Sequence, residues 1–210
     1  MAKRVGRSEI SSHWEKVYQT NHPRAVSWFQ QEPAISMQLI QNSSVKMTDP
    51  IIDVGGGAST LVDCLESRGY ANLAVLDISS AAIELSRERL GAASSRITWH
   101  TADITTFEPP NTYCLWHDRA VFHFLTKRSE RRKDVEVLER SVPSNGHVII
   151  ATFSVGGPEK CSGLKIVQYD APKLLAALGD DFQLIEEVGE IHLTPQGREQ
   201  KFSYFRMIRL

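Results

Sequence analysis

The chain has 210 residues, of which 41% are hydrophobic and 23% charged, with a formal net charge of −1. That length suits one domain with a real core, and the near-neutral balance gives no electrostatic case for nucleic acid or an anionic membrane surface. No apolar run reaches the roughly 20 residues of a membrane span, and the basic start MAKRVGR leads into polar sequence rather than a signal-peptide core. Three scattered cysteines, Cys64, Cys114 and Cys161, form neither a disulfide framework nor a zinc pattern, so a reducing, cytoplasmic setting is expected.

In chain order, the segment SHWEKVYQTNHPRAVSWFQQEP (12–33) comes first and holds Trp14, Tyr18, Trp28 and Phe29. Helical spacing sets Trp14 and Tyr18 on one face. Short β-branched runs then alternate with helix-period segments, the pattern of an α/β sheet. Strands are predicted at 51–54, 73–77, 97–103, 113–118 and 147–154. Helices are predicted at 60–69, closing at Gly69, and at 79–91, opening on serines and closing at Gly91. Two more are predicted at 133–142 and at 169–179, the latter with Asp170 as N-cap and Pro172 in its first turn. The end breaks this rhythm. Runs at 181–193 and 199–210 are joined by TPQGR with no room for a helix, which predicts an antiparallel hairpin.

Chemistry concentrates around PIIDVGGGASTLVDCLESRGYANLAVLDIS (50–79). In a dinucleotide-binding turn the glycines serve a tight turn, close approach to pyrophosphate and helix packing. Gly55 and Gly57 fill the first two positions, but Thr60 stands at the third. Asp53 just before the turn would repel a pyrophosphate and favour an ammonium group. Asp77 ends the next strand, roughly 20 residues on, where a carboxylate accepts ribose hydroxyls. Asp103 ends the third, placed to accept an adenine amine, with Ile104 offering its backbone N–H. An ammonium, a ribose and an aminopurine without phosphate describe S-adenosylmethionine. Gly55 and Gly57 are expected to make room for its methionine and ribose, and the helix start near Ser59 to favour its carboxylate.

With these residues set out, IIDVGGGAS, VLDIS and TADI resemble the first three motifs of class I S-adenosylmethionine-dependent methyltransferases. The resemblance runs from about Trp14 to Leu210. LWHDRAVFHFL and GPEKCSGLKIVQYD are similar to a group of small bacterial methyltransferases of the type 11/12 class, with Cys114 where that group commonly has aspartate. The resemblance implies a three-layer Rossmann-like fold: a mostly parallel seven-stranded sheet with an antiparallel last strand. It also implies an aromatic N-terminal lid over residues 1–32 and a single cofactor-binding domain over 33–210. The cofactor contacts it implies are Trp14, Trp28, Asp53, Gly55, Gly57, Asp77, Ile78, Asp103, Ile104 and Asp118. Aromatic faces suit a sulfonium cation.

Methyl transfer is an in-line displacement that needs positioning, and proton removal only for some acceptors; no metal is required. His117, Asp118 and His123 in HDRAVFHF are candidates for catalysis, with Arg119, Cys161 and His192 as candidate substrate contacts. The basic run 127–133 contains Glu130 and reads as a solvated helix face. The NPPY-type sequence of amino-directed nucleic-acid methyltransferases is absent, so the expected acceptor is a small molecule or a protein side chain. S-adenosylhomocysteine would be the product. Two rival readings stand: a binding module without catalysis, and an NAD-dependent oxidoreductase, the latter opposed by Asp53, the missing third glycine and the terminal hairpin. Neither the acceptor atom nor the oligomeric state is legible.

Overall fold

The computed structural model describes residues 7–210; the start of the basic N-terminal stretch and of the 1–32 lid segment lies outside the described residues. A helix, α1 (Arg7–Thr20), and a second, α2 (Ala34–Asn42), precede the first strand. There follow β1 (Ile51–Val54), α3 (Leu61–Ser67), β2 (Leu73–Asp77), α4 (Ser80–Leu90), β3 (Ile97–Thr101), β4 (Leu115–Arg119), α5 (Arg128–Ser141) and β5 (His147–Phe153). A short pair, β6 (Lys160–Cys161) and β7 (Leu164–Lys165), leads to α6 (Ala171–Leu178) and the hairpin β8 (Phe182–Leu193) and β9 (Glu199–Arg209).

The sheet order is β3-β2-β1-β4-β5-β9-β8. β1 to β5 pair in parallel, β9 runs antiparallel to β5, and β8 pairs antiparallel with β9. This is the expected seven-stranded sheet with its reversed last strand. Both faces are covered, so the central strands read as unbroken apolar runs rather than alternating ones. Ile52, Val54, Leu76, Trp116 and Ile150 pack with Val135 and Leu138 of α5 and Leu174 of α6. Ile51, Val75, Leu115 and Ile149 face the other way, onto Leu39 and Ile40 of α2 and Leu61 and Leu65 of α3. Because side chains alternate along a strand, Asp53 and His117 fall on the α2–α3 side. They are neighbours in the β1–β4 register.

Two predicted boundaries move. β3 ends at Thr101, because the Ala102 N–H turns to the Asp77 carbonyl and Asp103 opens a 3-10 turn. α5 begins at Arg128 rather than 133, since the Glu130 carboxylate accepts the backbone N–H of Lys127 and stops the first turn from fraying. The basic run therefore lies within the helix, where Lys127–Glu130 and Arg132–Glu136 pairs sit on its surface. Neither α2 nor the β6–β7 pair was anticipated. Among the described residues no helix is long and apolar enough to cross a membrane.

Candidate functional site

In an open α/β sheet, ligands bind beyond the carboxyl ends of the strands, where the strand order reverses. Here that point lies between β1 and β4, and the strand ends bring Asp53, Asp77, Asp103 and Asp118 to one edge. Their surroundings differ sharply.

Asp77 is buried, and each of its oxygens takes one backbone N–H: Oδ2 from Gly57 at 3.0 Å and Oδ1 from Ser79 at 2.8 Å. Burial raises its pKa to about 6 against the lowering effect of those bonds, with Asp53 adding to the rise. Asp103 caps the turn after β3, its Oδ1 accepting from both the N–H and the hydroxyl of Thr105. Asp53 is engaged on one side only. Its Oδ1 lies 2.7 Å from His117 Nδ1, while Oδ2 is buried with no hydrogen-bond partner among the described residues.

Two of the three glycines are explained by these acids. Gly55 has φ +69°, which favours glycine, and a β-carbon there would also meet Val121. A β-carbon on Gly56 would lie 2.3 Å from Asp53 Oδ2, and one on Gly57 would lie 2.5 Å from Asp77 Oδ2. Gly57 was expected to clear space for a ligand. In fact it clears space for Asp77 and for Ala82 of α4. Gly56, unremarked in the sequence, does the same for Asp53.

The main cleft is lined by Trp14, Trp28, Gly55, Asp77, Ile78, Asp103, Ile104, Arg119 and Cys161, among others. A second hollow takes in Asp53, Ser59, Thr60 and His117 and shares Tyr18, Trp28, Val54, Gly55 and Arg119 with the first, so the two form one trough. The aromatic groups form a box over it. Trp14 meets Trp28 edge-on at 5.5 Å and Phe124 at 5.1 Å, and the Trp28 indole N–H donates to the Tyr18 hydroxyl at 3.3 Å.

Polar contacts tie α1 across this opening. Glu15 accepts from the Ser79 and Ser80 hydroxyls at 2.8 and 2.9 Å and from the Ala81 N–H at 3.3 Å, so it caps α4 from outside. On the other flank His13 Nε2 lies 3.0 Å from the hydroxyl of Ser162, in the turn between β6 and β7.

Arg119 is held from several directions. Its Nε donates to the Tyr204 hydroxyl at 2.8 Å, Nη1 donates to the Trp28 carbonyl at 3.0 Å, and the guanidinium stacks 4.4 Å over Phe202. Its Nη2 is 3.7 Å from Glu190 and has no hydrogen-bond partner among the described residues.

The three residues expected to act in catalysis after β4 are each buried and engaged by neighbours. His117 is 2% exposed, gripped between Asp53 and Ser36, whose hydroxyl lies 2.9 Å from Nε2; both ring nitrogens are occupied. Asp118 lines neither part of the trough. Its two oxygens accept the Val121 and Phe122 N–H groups, and burial, against those bonds, raises it to about 7. Ala120, at φ +72°, makes the reversal that brings those N–H groups back over Asp118. His123 is fully buried between Phe124 and Phe153, and burial foremost, then Arg119, lowers it to about 3, too weak a base for work near neutral pH. Cys161 does reach the cleft, but burial pushes its thiol to about 12. His192 belongs to a separate shallow groove with Phe29 and Pro195, where its Nε2 donates to the Ser27 carbonyl at 2.8 Å.

Sequence reasoning missed Phe124, Glu15 and Gly56. Phe124 sat inside a motif searched for bases. Glu15 lies on a polar helix and carries no pattern that marks it. Among the described residues no group of three or more His, Cys, Asp or Glu side chains is disposed to hold a metal ion.

Residues 51–146 match the family described as a methyltransferase domain. No curated protein matches the chain in sequence. Among solved structures, an S-adenosylmethionine-dependent methyltransferase from Anabaena variabilis ATCC 29413 superposes with a TM-score of 0.76 at 15% identity, covering 100% of this chain and 99% of its own. The N-methyltransferase NodS from Bradyrhizobium japonicum WM9, in complex with S-adenosylhomocysteine, gives 0.71 at 16% identity over 95% of this chain and 98% of its own. A protein described by the conversion of a disulfide bond into a thioacetal group during echinomycin biosynthesis gives 0.76 at 15%, over 95% and 93%. At such identities these likenesses show the fold.

Proposed function

We propose that this chain, which carries a methyltransferase domain over residues 51–146 on the class I methyltransferase sheet, transfers the methyl group of S-adenosylmethionine to an acceptor beneath α1. The observation that carries the reading is the trough, with three acceptors at successive strand ends and an aromatic box closing over them. The donor set fits the cofactor. Asp77 keeps lone pairs beyond its two backbone bonds for ribose hydroxyls, and Asp53 keeps one oxygen without a hydrogen bond for an ammonium. Asp103 and Ile104 stand at the far end for the adenine.

The bound cofactor supplies an activated methyl group on a sulfonium. This chain supplies the rest. Trp14, Tyr18, Trp28 and Phe124 present faces that attract a cation and keep water out. Gly55 and Val121 set the floor of the trough. No histidine lines the main cleft among the described residues, so the work on the acceptor is positioning rather than proton removal by imidazole. The segment 1–32 is the lid and 33–210 the cofactor-binding domain. The acceptor is a small molecule or a protein side chain.

Calorimetry tests the reading directly. S-adenosylhomocysteine is expected to bind and NAD not to bind; the reverse would make the chain an oxidoreductase. Transfer of labelled methyl from S-adenosylmethionine into a size-fractionated extract is expected to mark an acceptor. Binding without any transfer would indicate an inert module.

Trp14→Ala is expected to weaken the binding of S-adenosylmethionine-like cations by roughly 2- to 30-fold, the equivalent of about 0.5–2 kcal/mol for a cation facing an indole. The neutral thioether product should lose less, so titrating sinefungin, which bears a positive amine near the sulfonium position, beside S-adenosylhomocysteine checks the effect. Equal, unchanged affinities would leave Trp14 a packing residue.

Affinity should also fall with pH. Asp77 accepts ribose hydroxyls best as a carboxylate, and it takes up a proton as pH falls through about 6. Binding of S-adenosylhomocysteine is then expected to weaken by up to about tenfold per pH unit below that point. The fold does not fail on the same account. A carboxyl whose folded value is raised contributes most to stability below its unfolded value, and that contribution is lost as pH rises through 6. Calorimetry at pH 7 and pH 5, with circular dichroism alongside, checks this; pH-independent affinity would contradict it.

A further inference from the structure

The chain Ser36–His117–Asp53 is buried, fully connected at one end and open at the other. Asp53 and His117 are adjacent in register on β1 and β4, and Ser36 projects from α2 onto the same face. The imidazole is fixed at both nitrogens, at 2.7 Å to Asp53 and 2.9 Å to Ser36, and is 2% exposed. It cannot act on a distant acceptor without breaking both bonds. What it does control is the carboxylate. With Oδ1 committed to His117, Oδ2 is turned toward Gly56, a wall of the second hollow, where any β-carbon would collide with it.

A buried carboxylate oxygen with no hydrogen-bond partner is rare and needs a reason. Arg119, whose Nη2 also has no hydrogen-bond partner among the described residues, lines the same hollow. One anionic oxygen and one cationic N–H in a common trough complement the two ends of an α-amino acid zwitterion.

We propose that His117 is a positioning residue for the cofactor's amino-acid end: it orients Asp53 so that the free oxygen receives a primary ammonium while Arg119 faces the carboxylate. The assignment rests on the methyltransferase reading and makes His117 a determinant of which adenosyl thioethers bind. No bond is made or broken by it.

Two ligands distinguish this role from a merely structural one. S-adenosylhomocysteine has the amino-acid end; 5′-methylthioadenosine has the same adenosine and thioether without it. His117→Leu is expected to weaken the first by tenfold or more and the second by no more than about twofold. His117→Asn, which keeps an N–H for Asp53, should restore most of the lost affinity. Should the leucine variant fail to fold, Ser36→Ala puts the same question, with a smaller drop confined to S-adenosylhomocysteine. Equal losses for both ligands, or no loss for either, would overturn the assignment of His117. Failure of the unaltered protein to bind S-adenosylhomocysteine at all would instead overturn the methyltransferase reading.

Discussion

Asp77→Ala is expected to lower the affinity for S-adenosylhomocysteine by about 100-fold or more. A hydrogen bond to a charged group contributes about 1.5–3 kcal/mol, and two ribose hydroxyls would lose their acceptor together. The same substitution frees the N–H groups of Gly57 and Ser79, which Asp77 holds at 3.0 and 2.8 Å. Leaving a buried donor unpaired costs about 1–3 kcal/mol, so the fold should also weaken. Part of that is offset, because burial makes an ionised Asp77 unfavourable at neutral pH in the absence of ligand. The net result is a modest fall in melting temperature beside a large loss of binding. Asp77→Asn separates the two. It retains one oxygen for backbone N–H groups but loses the charge and one acceptor, so it should melt closer to the unaltered protein and still bind poorly. Calorimetric titration and thermal unfolding of both variants check these outcomes. Affinity unchanged in Asp77→Ala would move the ribose elsewhere in the trough.

The elements that position this site were legible because burial on both faces writes itself into composition. LAVLD is apolar up to the acid that ends its strand, and IIDV is apolar but for an acid one residue before its end. The terminal hairpin was legible from Pro195 and Gly197, with no intervening helical period. What stayed hidden depends on contacts between distant segments. His117 read as a base because a histidine near a strand end is chemically versatile. Its placement opposite Asp53 follows from β1 and β4 being neighbours, and its other anchor, Ser36, lies on the unanticipated helix α2. Residues 34–42 gave no N-cap hydrogen bond to announce that helix. His123 read as a second candidate, and the turn at Ala120 sends it into the core. The β6–β7 strands are two residues each, too short for any period. The glycine run raised the right question, but the answer needed the carboxylates in place: two of its three members yield to acids rather than to a ligand.

That last point carries the second large effect. Gly57→Ala adds a single carbon, yet it would sit 2.5 Å from both Asp77 Oδ2 and the Ala82 β-carbon, well inside contact distance. Neither neighbour is free to yield. Ala82 is fully buried in the first turn of α4, where its N–H bonds to Ser79, and the Asp77 carboxylate is held by two backbone donors. Overpacking of this kind typically costs about 1–3 kcal/mol. For a chain this long that corresponds to a fall in melting temperature of about 2–4 °C per kcal/mol. Displacing the carboxylate also spoils the ribose acceptor, so affinity for S-adenosylhomocysteine should drop by about tenfold or more. Gly189→Ala is the control, since no atom of the described residues lies within 4 Å of a β-carbon there, and it should change stability by no more than about 0.5 kcal/mol. The double variant Gly57→Ala, Asp77→Ala then tests the cause. With the carboxylate gone, one of the two collisions disappears, and the combined destabilisation should be smaller than the sum of the single effects. Full additivity would mean that Gly57 answers to Ala82 alone.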